Sequence, residues 1–212
     1  MADIDFFWDP VCPFAWITSR WVHEVAGRRG LDVRWLPISL RMVNDGRYDD
    51  PELAAKQGGH EIGLRLLRVA AGVDAAHGND AVGRFYTALG TSMHVTGDRQ
   101  ALEAAGPRAL AKGALAQSDL PVELAAGVDD ESLDAAVRDG TETSLRRTGG
   151  NVGTPVVTFD PPDGPSFFGP VVSRVPRGAE AVELWEAVEL LARRTWFAEL
   201  KRSLREPPQT DS

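Results

Sequence analysis

The residue best suited to do chemistry is Cys12, the only cysteine among 212 residues. It stands in Asp9-Pro10-Val11-Cys12-Pro13, between a strand-like run and the start of a helix. At a helix N-terminus, unpaired N–H groups and the helix dipole stabilise an anion. Thiols in that setting have pKa values of roughly 3.5–7.5. The thiolate is the nucleophilic form, so the placement suits a sulfur that attacks near neutral pH. A buried structural cysteine is the alternative reading of the same position. A single cysteine excludes an internal disulfide, a Cys-built zinc finger and a protein-ligated iron–sulfur cluster. It fits a reducing, cytoplasmic compartment.

A second feature lies far away in the sequence. Val152-Gly153-Thr154-Pro155 immediately precedes a strand-like run. A cis Thr154-Pro155 bond would expose the Thr154 backbone, giving an extended thiol substrate an edge to pair with beside the cysteine. A trans proline that simply opens the strand is the other reading. Asp9 is close enough to Cys12 to act as an acid or base, or to raise the thiol pKa by repulsion; capping the turn is equally compatible with its position. Trp8 and Trp16 flank the cysteine and are candidates for lining a site, whereas Trp21, Trp35 and Trp185 fit core stripes. The histidines His23, His60, His77 and His94 form no HxxxH pair, so no metal site is expected. His23 lies about 16 Å along the helix from Cys12 at roughly 1.5 Å per residue, too far to activate it. His94 is either a polar loop residue or one that reaches the pocket through folding. Gly58-Gly59 and Gly149-Gly150 belong to no GxGxxG or Walker A pattern, so no nucleotide cofactor is expected.

The elements that must position these residues follow from periodicity. Ile4, Phe6 and Trp8 alternate with Asp3 and Asp5, as in a strand. Pro13 opens a helix whose stripe is Phe14, Ile17, Trp21 and Val25. Arg28 and Arg29 followed by Gly30 end it. Leu31, Val33 and Trp35 form a second strand that stops at Pro37. Residues 51–148 are rich in Ala, Gly, Leu and Arg, with helical stretches over 61–69, 79–90, 100–117 and 132–147 and a short helix start at Leu120-Pro121-Val122-Glu123. The frequent glycines leave their boundaries loose. Strand signals return at 155–159; a turn over 160–164 and a second strand at 166–168 make a hairpin. A last helix spans about 178–194, and the polar tail from Glu206 to Ser212 reads as loose. A two-strand fragment is marginal alone, so the flanking parts, 1–50 and 149–212, are expected to share one sheet around a helical insertion at 51–148.

With 23 basic against 31 acidic residues, the net charge is -8, which argues against a nucleic-acid partner. No apolar run is long enough for a membrane span, and the start Met1-Ala2-Asp3-Ile4-Asp5 has no secretory-signal pattern.

The order strand, Cys-Pro-x-x, helix, strand, helical insert, Gly-Thr-Pro, hairpin, helix resembles the thioredoxin fold in its DsbA-like branch, an α/β architecture. The segment from Phe7 to Trp21 is similar to the active-site segment of actinobacterial mycothiol-dependent nitroreductases. So are the segment from Phe167 to Gly178 and the ending Phe197-Ala198-Glu199-Leu200-Lys201-Arg202 with Glu206-Pro207-Pro208. The resemblance spans nearly the whole chain.

It implies an enzyme that reacts with mycothiol or a similar low-molecular-weight thiol as co-substrate and passes reducing equivalents to a small-molecule acceptor. Cys12 matches the family's first motif cysteine, the one that attacks. The second would fall at position 15, where this chain has Ala15. An oxidised Cys12 is then confined to a mixed disulfide, a sulfenic acid or an intermolecular disulfide, so an external thiol serves both steps. Pro13, Phe14 (tryptophan in close relatives), Trp16, Asn44, Thr154 and Pro155 are the expected substrate-binding residues. Asn44 matches a pocket asparagine of the family. Its pocket tyrosine has no counterpart near Ala54; Tyr48 lies upstream. Kappa-class glutathione transferases and hydroxychromene-carboxylate isomerases share this architecture without the second cysteine, which gives an alternative without net redox change. A thiol-binding module without catalysis is a third reading. A homodimer is compatible with the sequence.

Overall fold

Strand β1 (Ile4–Trp8) is buried at all five positions. The structure, a computed structural model, describes residues 2–97, 99–150, 152–202, 204 and 206–210, with the backbone alone for 99–104. β1 lies at the centre of a four-stranded sheet of order β2-β1-β3-β4, with β2 at Val33–Pro37, β3 at Val156–Phe159 and β4 at Ser166–Phe168. It pairs parallel with β2 and antiparallel with β3, and β3 continues antiparallel into β4. The two ends of the chain therefore do complete one sheet. The alternation in β1 does not mark a solvated face. Phe7 packs against Ile38 and Val156, and the fully buried Asp5 carboxylate holds Arg34 at 2.8 and 2.7 Å and Arg147 at 2.8 Å. The polar position is thus neutralised rather than hydrated.

Helix α1 (Pro13–Arg29) follows the expected chemistry. Cys12 is its N-cap, Pro13 takes the first helical position, and Gly30 ends it at φ 67°. Ile17, Trp21, Val22 and Val25 are buried. Trp21 donates to the Ala181 carbonyl at 2.8 Å and meets Trp185 edge-on, which fixes α1 to the last helix, at Gly178–Ala192. Between β2 and β3 the chain is helical. Short helices α2 (Leu40–Val43) and α3 (Pro51–Ala54) precede α4 (Gln57–His77), α5 (Asn79–Thr91), α6 (Arg99–Gln117, broken at Gly106-Pro107) and α7 (Asp134–Thr148). The last helix is α8. A π-type turn covers Ser92–Thr96, and 3₁₀ turns cover Val122–Asp129 and Glu131–Leu133. No helix among the described residues is long and apolar enough to cross a membrane.

One apolar core runs from the sheet into these helices, with Phe6 and Trp35 in the same cluster as Leu67, Phe85 and Leu115. The glycines that loosen the sequence pattern are where the two layers meet. A Cβ on Gly83 would come within 2.7 Å of Trp35, one on Gly140 within 2.6 Å of the Pro37 carbonyl, and one on Gly90 within 2.2 Å of the Trp16 ring. Gly90→Ala is therefore expected to destabilise the chain by about 1–3 kcal/mol through overpacking. Gly113, on α6 with nothing within 4 Å of its Cβ position, is expected to do the reverse. Its replacement by alanine should add about 0.5–1 kcal/mol from backbone entropy. Urea unfolding of the two variants checks both signs.

The tail is a correction. Residues 206–210 are docked, not loose. Ser173 Oγ donates to the Glu206 carbonyl, Gln209 N–H to the Ser173 carbonyl, and Thr210 Oγ1 to the His94 carbonyl. The Trp16 indole N–H donates in turn to the Thr210 carbonyl at 3.5 Å. Apart from the Thr210 hydroxyl, these contacts use the tail's backbone groups, so its side-chain polarity gives little sign of them. Asp211 and Ser212 lie outside the described residues.

Candidate functional site

The end of β1 turns through Asp9-Pro10-Val11 into the N-terminus of α1 and leaves Cys12 half-buried there. Its Sγ accepts the Ala15 N–H at 3.4 Å, a bond that the helix start supplies to a thiol or a thiolate alike. The thiol S–H points to the Thr154 carbonyl at 3.5 Å. That carbonyl precedes Pro155 across a cis peptide, and the Thr154 hydroxyl donates to the Phe7 carbonyl at 3.1 Å. A residue from the second half of the chain is thus held against the sulfur by the sheet itself. Thr154 as a whole is buried; it is its carbonyl that faces Cys12.

Asp9 sits behind this loop, fully buried. Its carboxyl accepts the Val11 N–H at 3.1 Å and the Leu40 N–H at 2.8 Å. It therefore ties the cysteine loop to the start of α2. Gly63 of α4 passes so close that a Cβ there would lie 2.5 Å from Oδ1. Burial pushes the Asp9 pKa up to about 7, and the two N–H bonds offset only part of that.

In front of the sulfur opens a cavity of about 880 Å³. Cys12, Pro13 and Phe14 form one wall, Leu40, Val43 and Asn44 a second, and the start of α4 at Gly58, Gly59 and His60 a third. Asn44 anchors its own side chain by donating Nδ2–H to the Leu40 carbonyl at 2.8 Å. His60 is buried, and its Nδ1 meets the Tyr48 hydroxyl at 3.0 Å. Burial holds the His60 pKa below its usual value, and Lys56 and Arg41 add to this. The imidazole is therefore neutral at neutral pH.

Of the residues expected from the sequence, Cys12, Pro13, Phe14 and Asn44 share the cavity lining, and Thr154 touches the sulfur from the sheet side. Pro155 is buried behind Thr154 at the head of β3. Trp16 is buried outside the lining, with the Arg20 guanidinium over its ring at 4.2 Å and the His94 ring stacked on it. Trp8 is also buried, stacked on Tyr86 at 3.8 Å, and is not part of this lining. His94 donates Nε2–H to the Pro10 carbonyl at 2.8 Å and so braces the cysteine loop from behind. Sequence reasoning passed over Arg47, Lys56 and His60, which all line the cavity. The missed signal was the Gly58-Gly59 pair, read there only as the absence of a phosphate loop.

Comparison with known proteins extends this. A family model described as Rv2466c-like, mycothiol-dependent nitroreductase Rv2466c, matches residues 11–202. The chain is 29% identical over 213 residues to a Mycobacterium tuberculosis protein described as uncharacterized protein Rv2286c, covering 95% of this chain and 82% of that protein. Among solved structures it is similar to a 2-hydroxychromene-2-carboxylate isomerase, with a TM-score of 0.56 at 15% identity over 90% of this chain and 94% of the other. It is also similar to a putative protein disulfide isomerase from Nitrosomonas europaea, with a TM-score of 0.55 at 13% identity, covering 88% and 96%. At such identities the likeness is one of fold, the DsbA-like thioredoxin architecture of a mixed sheet interrupted by helices.

Proposed function

The chain belongs to the Rv2466c-like family of mycothiol-dependent nitroreductases, and from that membership we propose that it is a thiol-dependent oxidoreductase in which Cys12 alone carries the covalent chemistry. The observation behind this reading is the setting of Sγ, at the mouth of a cavity between the Ala15 N–H and the Thr154 carbonyl. In the first step the Cys12 thiolate attacks one sulfur of a disulfide. A Cys12–S bond forms, the old S–S bond breaks, and the other half leaves as a thiolate. In the second step a small thiol attacks the mixed disulfide, restores Cys12 and carries away the bound half. A second equivalent of the small thiol resolves the mixed disulfide that leaves, so that two thiols are oxidised to one disulfide, two electrons reach the acceptor, and the protein ends unchanged.

The chain's residues divide this work. The Ala15 N–H is aimed at the sulfur when it is anionic, and the Thr154 carbonyl marks the side from which an incoming sulfur is aligned. Pro13, Phe14 and Asn44 hold the body of the small thiol, while Trp16 and Pro155 support that wall from behind. Mycothiol, taken from the family's description, is the proposed co-substrate, and a cytoplasmic setting goes with it. A cytosolic disulfide reductase of Pseudomonas aeruginosa, solved with glutathione, is similar in fold (TM-score 0.50, 17% identity, covering 74% of this chain and 85% of the other). Exposure to mycothiol disulfide and to glutathione disulfide, followed by intact-mass analysis, tests the proposal. One adduct on Cys12, faster from mycothiol disulfide, is expected; no adduct from either overturns it.

Ala15, fully buried where a second cysteine would stand, favours one other reading. Without an internal disulfide, the thiol would be added to a substrate and released again with no net electron transfer, the chemistry of an isomerase. Thiol conjugation without nitro or disulfide reduction would select it.

A further inference from the structure

The wall of the cavity that Arg47 and Lys56 form carries positive charge, in a chain whose net charge is -8. Arg47 and Lys56 both line it, and among the described residues no aspartate or glutamate does. Most arginines elsewhere are held by carboxylates; Arg34, Arg68, Arg147 and Arg193 are examples. Among the described residues no ion pair holds Arg47 or Lys56, and both are exposed to the cavity's solvent. Lys56 is also the N-cap position of the 21-residue helix α4, which no side chain caps. The first-turn N–H groups of α4, at the lining residues Gly58 and Gly59, add partial positive charge to the same wall. The buried Asp9 carboxyl is behind the cysteine loop and not in the lining.

We propose that this wall selects an anionic acceptor: the disulfide that meets Cys12 carries a carboxylate, which Arg47, Lys56 and the start of α4 receive. This rests on Cys12 being the reacting thiol. The exchange step is unchanged in its balance. Cys12 sulfur gains the bond to one half of the disulfide, and the other half departs with the electron pair of the broken S–S bond. The cations take no part in bond making; they raise the local concentration of an acceptor of one charge sign.

Three aliphatic disulfides of similar size test it: dithiodipropionate (anionic), bis(2-hydroxyethyl) disulfide (neutral) and cystamine (cationic). The rate of Cys12 adduct formation with each is read by intact mass and divided by the rate of a small neutral thiol with the same disulfide. The corrected rate is expected to be on the order of tenfold higher for the anion than for the cation. The preference should shrink at high salt and collapse toward one in an Arg47→Gln, Lys56→Gln double variant. Equal corrected rates in the unaltered protein, or a preference that survives the double substitution, overturn the inference and leave Cys12 reactive. No adduct from any of the three, the neutral one included, removes this inference together with the reading of Cys12 on which it rests.

Discussion

Cys12→Ser is expected to lose thiol-dependent turnover and mixed-disulfide formation to below detection, while the protein keeps its fold. The two halves of that expectation come from the two roles of one atom. As a nucleophile, sulfur is irreplaceable here, because a serine oxygen forms no disulfide and the chain has no other cysteine to take over. As a helix cap, the sulfur is easily replaced. It accepts the Ala15 N–H from the N-cap position, and serine is among the most favoured residues there. A serine hydroxyl can also donate toward the Thr154 carbonyl, as the thiol does. Thermal unfolding should therefore move little, and the lost activity is assigned to chemistry rather than to a damaged loop. Turnover that survives the substitution would exclude Cys12 as the nucleophile. A large fall in Tm would mean that the sulfur's packing is structural.

Asp9→Asn is expected to change how stability depends on pH. In the unfolded chain this carboxyl ionises near 3.8; in the folded protein burial holds it to about 7. Between those values the native state keeps a proton that the unfolded state has released. Stability from this group is therefore full at low pH and falls as pH rises toward 7. At 1.36 kcal/mol per unit, the whole loss is about 4 kcal/mol, of which about 2–3 kcal/mol falls between pH 5 and pH 8. A carboxamide does not titrate. It also turns its NH2 toward one of the two backbone N–H groups that Asp9 accepts, at a cost of about 1–3 kcal/mol. At pH 5 the variant should be the less stable protein, and by pH 8 the gap should close or invert. Guanidinium unfolding across that range measures it, and parallel curves would contradict the raised pKa.

How much of this was legible in the sequence differs by residue. The β1 to β2 segment was readable because its signals are local: alternation, a proline at the first position of α1 and a glycine at its end. The hairpin at Val156–Phe168 was readable for the same reason. Cys12 and Thr154 were linked through the chemistry of a cis proline and then through the resemblance, not through spacing, since 142 residues separate them. The helical segment resisted because its glycines carry two meanings. Gly83, Gly90 and Gly140 look like helix weakeners, yet they are seats for Trp35, Trp16 and Pro37. Only the partner's position tells the two apart. Helix α4 begins at Gln57, before the first apolar residue of its stripe, so the cavity wall at Lys56 and Gly58 stayed hidden. Asp5 reads as solvent-facing because its two arginines come from β2 and α7.

The pairing of β1 also sets an order of events during synthesis. Ile4 has Val33 on one side and Phe159 on the other. As the chain leaves the ribosome, β1 and β2 emerge early, and the helices from Leu40 to Thr148 follow well before β3 exists. Those helices can begin burying apolar surface while the sheet still has an open edge at its central strand. Throughout that interval the chain's single thiol is already made, but the carbonyl that will face it is not. Cys12 thus spends most of translation without the Thr154 carbonyl that faces it in the folded chain. A nascent chain stalled before residue 154 would carry the thiol without half of the surroundings it has in the folded chain.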